Sequence, residues 1–158
     1  INYYLAHMDD IKQLREETGL SFAQIKKALD EAGGDKEKAR IVLSAYSAAQ
    51  AEKKSDREVA AGAVAAYVHS TGTTGVLLEL ACETDFVAKN EEFVALAKDL
   101  AMHVCAMAPL TIEGDEDTAL LKQTFIKDGS LTVEGRIAAA IQKFGENIKI
   151  SRFTRYSI

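Results

Sequence analysis

The apolar spacing of this chain switches from helical to strand-like near residue 60, and that switch calls for an α+β fold. Beyond it, Gly62–His69 alternates Val64, Ala66 and Val68 with Ala63, Ala65 and Tyr67. Ser70-Thr71-Gly72-Thr73-Thr74-Gly75 is a turn cluster, after which Val76, Leu78, Leu80 and Cys82 alternate, so the two runs read as a hairpin. Glu91 to Met107 is the clearest helix, with Phe93, Leu96, Ala97, Leu100, Val104 and Met107 on one face and Pro109 as its stop. Glu113–Asp117 is an acidic loop, and a further helix carries Ile137, Ala140, Ile141 and Phe144. Ile148 and Ile150 alternate on a third strand, whose parity shifts at Phe153, as at a bulge or a strand buried on both faces.

Before the switch, three short helices are expected. The first carries Ile11 and Leu14 and stops at Thr18-Gly19. Ser21-Phe22-Ala23-Gln24 has capping-box form and leads into the stripe Phe22, Ile25, Leu29 and Ala32, ended by Gly33-Gly34. Asp35 is placed to cap a third helix that buries Ala39, Val42, Leu43 and Tyr46 and runs to about Arg57. The polar stretch Gln50–Glu58 is the expected boundary, giving a three-helix module over 8–55 and a core domain with a three-stranded antiparallel sheet packed by helices over 56–158. Met8-Asp9-Asp10 reads as a natural start, so Ile1–His7 is expected to be a remnant foreign to the natural chain; a processed precursor is the alternative.

Composition narrows the function. With 47% apolar residues, 27% charged residues and one proline in 158, the chain is globular and not disordered. A net charge of −5 argues against tracking a phosphate backbone, so no direct nucleic-acid contact is expected. No apolar run approaches the roughly 18 residues that a bilayer requires, and no secretory pattern appears, so no membrane contact is expected either. The two cysteines, Cys82 and Cys105, each sit in an apolar run and are expected to be reduced, buried thiols of a cytoplasmic protein.

A search for catalytic chemistry finds little. His69 ends a strand and His103 lies within a helix, neither with a carboxylate or cysteine at ligand spacing, so both read as ordinary structural or surface histidines. Cys82 has no basic neighbour to activate it, and Gly72-x-x-Gly75 lacks the lysine of a phosphate loop. Neither a metal site nor a cofactor is expected, and the chain reads as one that acts by binding. The informative segment is Glu83-Thr84-Asp85-Phe86-Val87-Ala88-Lys89-Asn90. Thr84 or Asn90 can cap a helix start, and Phe86 can either staple the loop to the core or project from it. Because the apolar helix face begins only at Phe93, Phe86 is left in the connection, where an outward aromatic is well placed to anchor a partner. Glu83 and Asp85 as an acid–base pair are a poor alternative, since no nucleophile or cofactor loop accompanies them.

Leu78-Glu79-Leu80-Ala81-Cys82-Glu83-Thr84-Asp85-Phe86-Val87-Ala88-Lys89-Asn90-Glu91-Glu92-Phe93 closely resembles the signature of the elongation factor Ts family. Leu14-Arg15-Glu16-Glu17-Thr18-Gly19 and Lys26-Lys27-Ala28-Leu29 resemble its amino-terminal ubiquitin-associated-type module. Leu121–Asp128 and Gly145-Glu146-Asn147-Ile148-Lys149-Ile150-Ser151-Arg152-Phe153 resemble its carboxy-terminal elements. The resemblance implies a guanine-nucleotide exchange factor of protein biosynthesis, not an enzyme, that binds elongation factor Tu carrying GDP and releases the nucleotide by disturbing its Mg²⁺ and phosphate site. It implies partner contacts at Thr84, Asp85, Phe86 and Val87, with secondary contacts at Arg15, Phe144 and Gly145. It further implies a short form without the coiled-coil insertion of larger members, pairing as a noncovalent homodimer. Where the family often has a flexible apolar pair, this chain has Ser21-Phe22-Ala23, and Phe22 is expected on the core stripe. The helical module alone would also permit an adaptor for ubiquitin-like partners.

Overall fold

The computed structural model describes residues 2–115 and 117–158, with side chains from Met8 onward. They form two compact units, the described residues up to 56 with 138–145 and the described residues of 57–137 with 146–158.

The first unit holds α1 (Asn2–Thr18), α2 (Phe22–Glu31) and α3 (Lys36–Lys54). Helix α1 starts well before Asp9, because nothing in residues 2–7 interrupts a helical backbone; Ile1 and the side chains of 2–7 lie outside the described residues, so the expectation that Ile1–His7 is foreign rests on sequence alone. Gly19 closes α1 at φ +67° and donates its N–H to the Arg15 carbonyl over 2.9 Å. The capping box of α2 is complete: the Ser21 hydroxyl accepts from the Gln24 N–H, and Gln24 Oε1 accepts from the Ser21 N–H. At α3, the Asp35 carboxylate accepts from the N–H groups of Glu37 and Lys38 at 3.0 and 3.1 Å. These caps aim Ile11, Leu14, Leu20, Ile25, Ala28, Leu29, Ala39 and Leu43 into one buried cluster, with Ala32, Val42 and Tyr46 packed against it. Phe22 departs from expectation and is 45% exposed. It is the first residue of α2, beside the cap, and the stripe that fills the core begins a turn later at Ile25.

In the second unit, β1 (Ala61–Val68), β2 (Thr74–Cys82) and β3 (Ile148–Ser157) form an antiparallel sheet in the order β1-β2-β3. Helix α5 (Glu91–Met107) packs on β1 and β2, burying Phe93, Leu96, Ala97, Leu100 and Val104, while Val76, Leu78, Leu80 and Cys82 are buried on β2. Met107 falls off that apolar face and is exposed, because α5 ends there, in a left-handed residue at Ala108. The parity change in β3 is a bulge: Leu80 pairs with Ile150 and Glu79 with Arg152, leaving Ser151 as the extra residue. It lets Ile150 and Phe153 pair opposite Leu80 and Leu78 although they are three apart. Helix α6 (Val133–Phe144) precedes β3 and ends in Gly145 at φ +73°.

The other sheet face is open within this unit. Val64, Val68, Leu77 and Tyr156 are exposed there, and Arg152 pairs with Glu79 at 2.9 Å. A depression of about 340 Å³ on this face is lined by Gly62, Val64, Glu79, Ala81 and Ser151, among others. A Cβ added at Gly62 would stand 2.4 Å from the Leu80 carbonyl oxygen and 3.0 Å from the Ala81 Cα, both backbone atoms that cannot turn aside. Gly62→Ala is therefore expected to destabilise the unit by about 1–2 kcal/mol; an unchanged urea midpoint would show that β1 shifts freely against β2.

Candidate functional site: the loop bearing Phe86

The loop after β2 is built by its two ends. Upstream, Thr84 takes an extended conformation (φ −128°, ψ 152°) and its hydroxyl oxygen accepts from the Val87 N–H at 3.4 Å, opening the four-residue helix α4 (Asp85–Ala88). Downstream, Val87 and Ala88 are buried, and Asn90 caps α5 by accepting from the Glu92 N–H at 2.9 Å. Both residues that the sequence offered as caps therefore serve as caps, at successive helices. Between the anchored ends Phe86 is 85% exposed, and Asp85 and Thr84 are exposed beside it. An outward ring forgoes the roughly 1.5–3 kcal/mol that burial of a large apolar side chain supplies. Val87 differs from its neighbours: it is 4% exposed, so its side chain anchors the loop from within.

A carboxylate clasp holds the upstream end. Glu146 Oε2 accepts the N–H groups of Glu83 and Thr84, each at 3.0 Å, and Oε1 accepts the Thr84 hydroxyl at 2.5 Å. The exchange is reciprocal, because Glu83 Oε1 accepts the Asn147 N–H at 2.6 Å. Asn147 Nδ2 donates to the Arg57 carbonyl at 2.7 Å, and the Arg57 guanidinium lies 3.5 Å from Glu83. Glu83 is thus occupied in holding backbone, which weakens its reading as half of an acid–base pair. The sequence places Glu146 and Asn147 in a family-like segment but gives the contact there to Phe144 and Gly145, not to these two; the available signal was a carboxylate directly behind a helix-ending glycine.

Cys82, at the base of the loop, is buried and donates its thiol to the Thr84 carbonyl at 3.3 Å. Burial, and then the negative charge of Glu146, push its pKa up, which keeps it a thiol and a poor nucleophile. Cys105 is likewise buried, and both cysteines are free. Among the described residues no group of three or more His, Cys, Asp or Glu side chains is placed to hold a metal ion, and no helix is long and apolar enough to cross a membrane.

The remaining expected contacts belong to the first unit. Arg15 is exposed near the end of α1, Phe144 is half-buried in the last turn of α6, and Gly145 is exposed, its N–H donating to the Ile141 carbonyl at 2.9 Å.

Comparison with known proteins agrees with the signature. The family model described as elongation factor TS matches residues 23–116 and 83–158. An elongation factor Ts of Leptospira biflexa is 40% identical over 190 residues, covering 95% of this chain and 96% of that protein. One from Thermotoga petrophila is 43% identical over 189 residues, covering 96% and 95%. One from Aquifex aeolicus is 44% identical over 149 residues, covering 94% of this chain but 51% of that protein. The first two aligned stretches are longer than this chain's 158 residues, so those relatives carry residues with no counterpart here. With its signature loop intact between β2 and α5 and the match running over almost its whole length, the chain belongs to the elongation factor Ts family, the translation elongation factors.

Proposed function

We propose that this chain is a guanine-nucleotide exchange factor that binds elongation factor Tu carrying GDP and promotes release of the nucleotide. The observation that carries this reading is Phe86, an aromatic ring 85% exposed on a backbone fixed at both ends. Such a ring enters a partner's pocket without first paying to order its own loop. Phe86 and Asp85 act at the GTPase's Mg²⁺ and phosphate site, with Thr84 and Val87 supporting them. Disturbing the partner's Mg²⁺ leaves repulsion among phosphate oxygens unbalanced and so loosens GDP. Arg15, Phe144 and Gly145 supply secondary contacts, Arg15 from a ubiquitin-associated-like module over residues 8–55.

The energetics are those of negative coupling. A factor that expels nucleotide must bind the empty or distorted GTPase more tightly than the GDP form. By linkage, returning nucleotide weakens the factor by the same free energy, so GTP discharges it. No bond in this chain changes, and it is an exchange factor working in the cytoplasm, not an enzyme in the usual sense. Stopped-flow release of fluorescent GDP from elongation factor Tu tests the reading: the chain should accelerate release, and an unaltered rate at saturating concentration would sink it.

A homodimer is part of this proposal. The open sheet face presents Val64, Val68, Leu77 and Tyr156 to solvent, an apolar patch of the kind that marks an interface. A second copy of the chain is the occupant, forming a noncovalent two-sheet sandwich. Leu77→Lys should then convert a dimeric mass in solution to a monomeric one; a wild-type chain that is already monomeric at high concentration would remove the dimer.

A further inference from the structure

We propose that Glu146 is a positioning residue for nucleotide exchange, its carboxylate setting the direction in which Phe86 leaves the loop. The inference rests on the exchange function proposed above and assigns a task to a residue whose carboxylate is bonded to the base of the loop.

A helix of four residues does not hold its own shape in water, since nucleation fixes several dihedrals for one hydrogen bond. The direction of Phe86 must therefore come from what flanks α4. The ring cannot set it, being almost fully in solvent. Downstream, Val87 and Ala88 are held by burial. Upstream, Thr84 is exposed; its carbonyl accepts the Cys82 thiol at 3.3 Å and the Ala88 N–H at 3.1 Å, while its N–H and its hydroxyl both go to Glu146. The hydroxyl bond has a second effect. By directing the Thr84 proton to Glu146, it leaves the oxygen's lone pairs to accept the Val87 N–H, the first bond of α4. The carboxylate also receives the Glu83 N–H, so the last peptide before the loop is fixed with it. Three donors on one carboxylate are charge-assisted bonds, stronger than neutral ones. The Glu83–Asn147 bond points the other way between the same two segments, so they stay joined when Glu146 is altered.

Glutamine at this position keeps one oxygen for the two backbone donors but cannot accept the hydroxyl proton on its nitrogen, whereas alanine removes all three acceptor contacts. The sequence contains no tryptophan, so Phe86→Trp places a lone indole at the loop tip for time-resolved anisotropy. In that background Glu146→Ala is expected to enlarge the fast local depolarisation, with Glu146→Gln intermediate. With Phe86 restored, Glu146→Ala should lower the maximal GDP-release rate at saturating factor about tenfold, in line with the cost of slight misplacement. The half-saturating concentration should change less, and Glu146→Gln should recover most of the rate. A purely stabilising residue would lower the unfolding temperature alone. Unchanged indole motion, or an unchanged maximal rate well below that temperature, overturns the positioning role by itself. A wild-type chain that accelerates no GDP release overturns the exchange function, and the role in exchange with it, whereas unchanged indole motion, measured without partner, overturns the positioning alone.

Discussion

Phe86→Ala is expected to slow GDP release from elongation factor Tu about 30-fold while leaving the stability of the chain almost unchanged. An aromatic anchor in an interface is worth about 2 kcal/mol when truncated, and 1.4 kcal/mol corresponds to a factor of ten. The same ring contributes little to its own fold, because it is 85% exposed and the flanking backbone is held by other residues. Surface substitutions of this kind stay within about 0.5 kcal/mol of wild type. The two readouts should separate cleanly: an unshifted urea midpoint with a collapsed exchange rate. Measuring release against factor concentration shows where the ring acts. A loss in maximal rate places its contact at the distorted pocket, whereas a loss confined to the half-saturating concentration places it in docking that GDP does not oppose. An unchanged rate would remove Phe86 from the mechanism.

The placement of that ring was legible from spacing alone, because an apolar helix face beginning at Phe93 leaves Phe86 with no stripe to join. The caps at Ser21, Asp35 and Asn90 were legible for the same reason, being short-range chemistry written in consecutive residues. Phe22 leaves the stripe because periodicity assigns a face but not the turn at which it reaches the core, and Phe22, beside the cap, precedes that turn. The bulge was sensed at Phe153 yet sits at Ser151, since parity reveals that a residue is extra without saying which one. The bonds of Glu146, a residue seen only as part of a motif, stayed invisible for a different reason. Its partners, Glu83 and Thr84, lie 63 and 62 positions away, and no local pattern records a bond of that span. Val87 illustrates the limit of a motif: four neighbouring residues were assigned one role, and the fold divides them into exposed and buried.

His103 gives the largest expected effect on stability. Its ring is fully buried, stacked on Phe125 with centroids 5.9 Å apart. Nδ1 accepts the Ile126 N–H at 3.2 Å, which leaves the proton on Nε2 to donate to Gln123 Oε1 at 3.0 Å. The imidazole thus pins the irregular segment 123–126 to α5, a role its sequence neighbours gave no hint of. Burial holds its pKa below the ordinary 6.5, with the Gln123 bond opposing in part. Protonation would cost the Ile126 N–H its acceptor, so the folded state favours the neutral ring. Between the folded and unfolded pKa values the unfolded chain binds the extra proton, and stability rises with pH there. This contribution is complete above about pH 6.5 and is lost as pH falls from there through the folded value, at no more than about 1.4 kcal/mol per pH unit. His103→Ala removes the ring at every pH, leaving a cavity and an orphaned N–H, and should cost about 3–4 kcal/mol at pH 7.5. Urea midpoints from pH 7.5 to 5 for wild type and variant supply the test. The difference between them should shrink as pH falls, because only the wild type loses the neutral-ring contribution; a difference that stays constant would show that His103 keeps the same charge in both states.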